Sequence, residues 1–359
     1  MVEREELAAW LRLLESPGIG LQGARALLAQ AGSLEQAVAR LQEPPPKTLP
    51  QLLERIGAWL QASPSHAVLT LADADYPAAL RQTADPPALL YLSGRRELLQ
   101  DDASMLAIVG SRRPTAQGRD NAKHFSRELA LAGQTIVSGL ALGVDGAAHT
   151  GALEAGGRTI AVVGTGLDQI YPRRNEALGR RIAAEGLMIS EYSPGAPPLA
   201  DHFPRRNRII AGLAQGCLVV EAALKSGSLI TARLASEAGR AVFAIPGAIH
   251  SAQSQGCHAL IRQGAKRVET PADVLKDLPL NRAVGKKATP GEPDDAPDGL
   301  PPAQRRLLGL MGFDPVSLEE LLNRGAGTAA EVNGWLLELE LASQVRRLAG
   351  QLFQRRSRA

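Results

Sequence analysis

The segment Ile108-Val109-Gly110-Ser111-Arg112-Arg113-Pro114 ends an apolar run in a glycine, a hydroxyl and two guanidinium groups. A glycine-bearing loop at the carboxyl end of a parallel strand, leading into a helix from about residue 115, presents backbone N–H groups to an anion. Arg112 can add a two-pronged donor for a phosphate. The segment lacks the second and third glycines of a dinucleotide fingerprint. Its plain alternative is a tight strand-to-helix turn with solvated arginines.

Small residues follow further apolar runs in the same way. Val137-Ser138-Gly139-Leu140-Ala141-Leu142-Gly143-Val144-Asp145 continues to His149. Asp145 is expected to cap the next helix, and His149, on an alanine-rich face, to be packed. Val163-Gly164-Thr165-Gly166 is a third exit, with Tyr171-Pro172-Arg173-Arg174-Asn175 opening another helix. Three such exits on one sheet edge describe a crevice suited to phosphates.

The most basic segment is His202-Phe203-Pro204-Arg205-Arg206-Asn207-Arg208-Ile209-Ile210, and Phe203 is one of only five phenylalanines. Arginines beside an aromatic ring suit a nucleic-acid backbone clamp with a stacking platform, where a stacked base contributes about 1–3 kcal/mol without sequence preference. The alternative is a solvated charge run with Phe203 in the core. Lys225-Ser226-Gly227-Ser228 opens a helix and could form another anion nest.

Several chemistries lack their residues. There is no phosphate loop of the G-x-x-x-x-G-K-[ST] type, no G-x-S-x-G elbow and no cluster with metal-ligand spacing. Asp145 with His149, or Glu221 with Ser228, could be proposed as hydrolytic pairs. No general base has a clear partner and the spacing supports no nucleophile, so no catalytic residue, cofactor or metal is assigned. The rival is a nucleotide or nucleoside-phosphate hydrolase using Glu221 as general acid or base.

The elements that must position these residues follow from composition and period. The chain has 359 residues, 45% hydrophobic and 21% charged, which suits a soluble globular protein of two or three domains. No apolar run approaches the roughly 18 residues of a membrane helix, and the N-terminus is too acidic for a signal peptide, so a cytoplasmic protein is expected. Two cysteines, Cys217 and Cys257, exclude a disulfide framework. Forty Lys and Arg against 37 Asp and Glu give +3, too small an excess to establish nucleic-acid binding by itself.

Residues 1–64 read as a helical domain. Helices at 5–15 and 21–31 flank the turn Ser16-Pro17-Gly18-Ile19-Gly20, in the manner of a helix-hairpin-helix or SAM-like unit, and another helix covers 49–61. From 65 to 277, β-branched runs at 105–109, 135–138, 159–163, 187–190, 217–220 and 241–245 alternate with helices at 116–132, 146–155, 175–184 and 228–238. This pattern predicts an α/β, Rossmann-like, doubly wound, mostly parallel sheet, with edge strands near 68–71 and 88–92. A linker spans 278–302. Three helices and a hairpin over 303–359 predict a winged-helix-like domain, whose recognition-helix position carries Glu331, Glu338 and Glu340. Acidic residues there oppose groove binding and favour either contact with protein or a packing role alone.

Taken in order, these motifs resemble the DprA/Smf family. The resemblance runs through Tyr76-Pro77, Asp85-Pro86-Pro87, Gly110-Ser111-Arg112, Ser138-Gly139-Leu140-Ala141, Tyr171-Pro172, Phe203-Pro204-Arg205-Arg206-Asn207-Arg208, Lys225-Ser226-Gly227-Ser228 and Gly256-Cys257-His258. It implies a non-enzymatic single-stranded DNA binder of natural transformation. Such a protein protects the strand, helps load the RecA recombinase and works as a homodimer through the Rossmann-like domain. Carried onto this chain, the resemblance assigns Gly110, Ser111, Arg112 and Arg113 to phosphate. It assigns Phe203 to a base, and Arg205, Arg206, Asn207 and Arg208 to the same pocket, faced by Lys225, Gly227 and Ser228. Leu142 and Ala200 stand where relatives carry cations.

Overall fold

The computed structural model describes residues 4–100, 105–278, 301–311, 316–342, 344–348 and 352–355. They fall into two units, 1–281 and 282–359.

The first unit begins with helices α1 (Arg4–Glu15), α2 (Gly20–Ala31), α3 (Leu34–Ala39) and α4 (Leu49–Gln61). The turn between α1 and α2 is made by Gly18 and Gly20, with φ of 77° and 58°, a region open to glycine at little cost. The short α3 was not expected; Ser33 caps it by accepting from the Gln36 amide. Leu7, Trp10, Leu11, Ile56 and Trp59 of these helices share one core with Val68, Leu89 and Tyr91 of the sheet. The boundary expected after residue 64 thus crosses a continuous apolar core.

The sheet elements follow as β1 (His66–Thr70), α5 (Ala78–Arg81), β2 (Leu89–Gly94), β3 (Met105–Val109), α6 (Ala116–Leu131), β4 (Thr135–Ser138), α7 (Val144–Glu154), β5 (Thr159–Val163), α8 (Glu176–Glu185) and β6 (Leu187–Ser190). Then come α9 (His202–Leu213), β7 (Gly216–Val219), α10 (Ser228–Glu237), β8 (Ala241–Ala244), α11 (Gln255–Arg262), β9 (Lys266–Arg267) and α12 (Pro271–Asp277). The nine strands lie in the order β1-β2-β6-β5-β4-β3-β7-β8-β9. β3 to β9 are mutually parallel, while β2 runs antiparallel to both β1 and β6. Each residue of β3 and β5 is buried, as strands covered on both faces require.

Helices cover both faces. One layer buries Ile209, Ile210, Ala232 and Cys257 of α9, α10 and α11 against Ala107, Val137 and Val219. The other buries Phe125, Leu129, Ala148 and Val274 of α6, α7 and α12 against Leu106, Ile108 and Leu218. The chain moves outward from β3 through β4, β5 and β6, then returns to place β7 on the other side of β3. This reversal leaves a crevice beyond the carboxyl ends of β3 and β7, where open α/β sheets bind their ligands.

The second unit contains α13 (Pro302–Met311), β10 (Val316–Ser317), α14 (Leu318–Asn323), α15 (Ala329–Leu341), β11 (Val345–Leu348) and β12 (Leu352–Arg355). Its three strands lie in the order β10-β12-β11. Leu307, Leu321, Leu336, Val345 and Phe353 form its core. Thr328 and Glu331 close a reciprocal capping box on α15. The expected linker lies almost entirely outside the described residues, as does the hairpin turn at Ala349-Gly350. Among the described residues, no helix is long and apolar enough to cross a membrane.

Candidate nucleic-acid interface

A cleft of about 740 Å³ opens at the reversal point of the sheet, lined by the loops after β3, β4, β5 and β7 and by α9. The loop after β3 is fixed from three sides. The Ser111 amide donates to the Glu221 carbonyl at 2.7 Å, and the Ser111 carbonyl accepts from the Val144 amide at 3.1 Å. The Ser111 hydroxyl accepts from the Arg113 amide at 3.1 Å. Gly110 is a packing requirement: a Cβ there would stand 2.7 Å from Val144 Cγ2 and 2.9 Å from the Glu221 carbonyl oxygen. Gly143, at φ 85°, approaches the Ser111 carbonyl too closely for any side chain. With the loop locked in this way, Arg112 and Arg113 extend exposed into the cleft mouth.

The basic segment 202–208 is the first half of α9, an element the sequence did not signal. A helix advances 100° per residue, so Phe203, Arg206, Asn207 and Ile210, spaced by three and four, share one face. All four line the cleft. Arg205 and Arg208 point elsewhere. Arg205 is exposed and outside the cleft lining. Arg208, which the resemblance assigns to the pocket, sits behind α9 with its Nε 2.8 Å from Asp85 and its Nη2 2.5 Å from Glu191. Residues two apart on a helix face nearly opposite ways, which separates it from Arg206.

The Phe203 ring lies under the Arg112 guanidinium, whose carbon is 5.8 Å from the ring centroid. Tyr171 approaches the same ring at 5.5 Å with a 39° tilt, and remains 45% exposed. Tyr171 is therefore part of the cleft although the sequence reading gave it no role. Its place in the Tyr-Pro-Arg-Arg-Asn segment after a strand exit was the available signal. Gly164 admits Phe203 closely, since a Cβ there would lie 3.2 Å from the ring.

Arg206 forms the floor. It is only 4% exposed and donates Nη1 to the Val162 carbonyl at short range. Burial draws its pKa down to about 10, opposed by Asp145 and assisted by Arg112, so it remains a cation at neutral pH. Asp145 does not cap α7, contrary to expectation. It lies inside the first turn, and its carboxylate accepts from the Gly139 and Ala141 amides at 3.1 and 3.4 Å, tying down the preceding loop. Burial raises its pKa against the pull of Arg206 and those two amides. His149 is packed, as expected, with Nδ1 2.7 Å from the Thr159 hydroxyl. Burial and the Arg206 charge hold its pKa down to about 3, leaving it neutral.

On the opposite wall, Lys225 and Ser226 precede α10, which starts at Ser228 after its N-cap Gly227. The two serine hydroxyls are 2.7 Å apart, and Asn207 Nδ2 reaches the Gly227 carbonyl at 3.3 Å, joining α9 to α10. No atom lies within 4 Å of a Cβ built on Gly227, so this glycine borders open space.

Neither proposed hydrolytic pair forms. Asp145 engages loop amides and His149 engages Thr159. The Glu221 carboxylate accepts from the Thr115 amide at 2.9 Å and hydroxyl at 2.6 Å, at the start of α6. Among the described residues, no cluster of His, Cys, Asp or Glu could hold a metal ion. The cleft brings together Gly110, Ser111, Arg112, Arg113, Phe203, Arg206, Asn207, Lys225, Gly227 and Ser228. A positively charged groove with aromatic rings in its wall is the arrangement that holds a single nucleic-acid strand.

A family model for DNA recombination-mediator protein A matches residues 67–279, and one for the DprA winged helix domain matches 291–351. Protein Smf of Escherichia coli (strain K12) is 40% identical over 332 residues, covering 90% of this chain and 85% of that protein. Among solved structures, DNA processing protein A from Streptococcus pneumoniae aligns with a TM-score of 0.65 and 38% identity, covering 77% of this chain and 99% of that one. DNA processing protein A from Helicobacter pylori, solved for its single-stranded DNA binding mode, aligns with a TM-score of 0.54 and 36% identity over 59% of this chain and 97% of that one.

Proposed function

From the premise that the chain belongs to the DprA/Smf family of DNA recombination-mediator proteins, we propose that its cleft binds and protects single-stranded DNA with little sequence preference. The observation that carries this reading is the Phe203 ring, which faces the cleft beneath Arg112 and beside Tyr171. Bases stack on the rings, and Arg112, Arg113 and Lys225 neutralise the phosphates around them. Arg206 supplies a fixed positive charge from the floor. The single-stranded DNA binding mode of the Helicobacter pylori relative supports the same ligand here.

The protein acts as a binder rather than an enzyme, in DNA recombination and natural transformation, within the cytoplasm. Loading of RecA onto the bound strand and homodimer formation through the Rossmann-like domain are further parts of this reading, and both rest on the family resemblance alone.

Fluorescence anisotropy of labelled oligo-dT and of a matched duplex, across a salt series, tests the proposal with wild type and Arg112→Ala. Salt-sensitive binding to the single strand, weaker binding to duplex and loss in the variant are expected. Equal affinity for both forms, or an unaffected variant, would move the DNA site away from the cleft.

A further inference from the structure

Behind α9, four charged side chains form a chain of contacts that lines no part of the cleft. Arg25 of α2 donates Nη1 to Asp85 at 2.8 Å and to the Ala84 carbonyl at 3.1 Å. The second oxygen of Asp85 accepts from Arg208 Nε at 2.8 Å, and Arg208 Nη2 reaches Glu191 at 2.5 Å. Arg208 and Glu191 are nearly enclosed, with side chains 12% and 8% exposed. Each still has a buried polar atom without a partner, Nη1 of Arg208 and Oε2 of Glu191. Arg208 and Glu191 balance each other in charge, so Asp85, 38% exposed, adds a second negative charge that Arg25 offsets, and it holds the two arginines together through its two oxygens.

The three places joined by this chain matter to the site. Arg208 is on α9, the helix that aims Phe203 and Asn207 into the cleft. Glu191 opens the loop that continues to Pro198 and Ala200 in the cleft wall. Asp85 precedes Pro86 and Pro87, whose fixed φ values stiffen the segment, and the Pro87 carbonyl is held by the Tyr76 hydroxyl at 2.8 Å. The mount for α9 is thus rigid on its sheet side, while its fourth member belongs to the N-terminal helices.

We propose that Asp85 is a positioning residue for DNA binding, linking Arg25 of the N-terminal helices to Arg208 so that those helices set how α9 presents Phe203 and Asn207. The proposal rests on the reading of the cleft as the DNA site. It gives the N-terminal helical segment a role in affinity with no DNA contact of its own.

The test uses the full chain and oligo-dT anisotropy with wild type, Phe203→Ala, Arg25→Met, Asp85→Asn and the double variants. Arg25→Met should weaken binding roughly three- to tenfold, within the lower part of the coupling found between neighbouring side chains, and Arg25→Lys should restore it. The salt slope should stay at the wild-type value, because Arg25 neutralises no phosphate. Adding Arg25→Met to Asp85→Asn should cause no further loss, and in the Phe203→Ala background its effect should largely vanish. Asp85→Asn, which preserves shape, reads the same relay should Arg25→Met lower the melting temperature to that of the assay. Wild-type affinity in Arg25→Met and Asp85→Asn, additive losses in the doubles, or a reduced salt slope would overturn the relay. Failure of wild type to bind the single strand would instead overturn the reading of the cleft.

Discussion

Gly139 and Arg206 are sterically matched: a Cβ on the glycine would collide with the guanidinium that forms the cleft floor. The guanidinium cannot retreat, because its Nη1 is committed to the Val162 carbonyl on the neighbouring strand. Gly139→Ala should therefore lower stability by about 1–3 kcal/mol, the usual cost of overpacking. Gly227→Ala, at a φ of −62° with open space around it, should leave the melting temperature unchanged or slightly higher. Thermal unfolding of the two variants measures the contrast.

Arg205 and Arg208 should differ sharply in stability despite their shared segment. Arg208→Ala strands Glu191 in a buried site and should cost about 3–5 kcal/mol. Arg205→Ala alters an exposed position and should stay within about 0.5 kcal/mol of wild type. Urea unfolding curves of both variants provide the measurement.

Arg112 and Phe203 should divide the binding between charge and stacking. Arg112→Ala should reduce the salt slope of single-strand affinity by about 0.7, one phosphate contact. Phe203→Ala should cost about 1–3 kcal/mol and leave the slope nearly unchanged. Because the guanidinium lies over the ring, the double variant should lose less than the sum of the two. Anisotropy titrations at several salt concentrations measure both quantities.

Glu221→Gln should weaken the fold rather than abolish a reaction. The carboxylate accepts two hydrogen bonds from Thr115, and Gly118 leaves room for it. An amide there can keep the Thr115 amide through its oxygen and donate to the Thr115 hydroxyl, exchanging a charge-assisted bond for a neutral one at an exposed position, at a cost of about 0.5–1.5 kcal/mol. Neither wild type nor variant should release free base from a nucleoside monophosphate, which chromatography of the incubated nucleotide would establish.

The parallel strands were legible because they are buried on both faces, so their apolar runs are continuous. β9 was not: Lys266 and Arg267 are exposed and carry no apolar signal. α9 was hidden by Pro204 and by the run of arginines, which read as a charge cluster rather than a helix. Without its periodicity, Arg206 and Arg208 counted as neighbours, whereas the helix sends one to the cleft floor and the other to an ionic cluster. Arginine is rarely buried, and the carbonyl that accepts from Arg206 lies 44 residues earlier in the chain. Asp145 was misjudged for a smaller reason. α7 starts at Val144, two residues earlier than expected, which moves the carboxylate from the cap into the first turn.

The cleft lining begins at Val109 and ends at Gln253, with contributions from most of the loops between. None of these segments can form the site with its sequence neighbours alone, since its walls meet only when the sheet has closed around β3 and β7. Closure of such distant segments is slow and comes late in folding. During synthesis from the N-terminus, a nascent chain that has not emerged through Thr231 lacks the wall made by Ala223, Lys225, Ser226, Gly227, Ser228 and Thr231. Its arginines stay separate charges on an unfinished surface, so the cleft is complete only after translation has passed that segment.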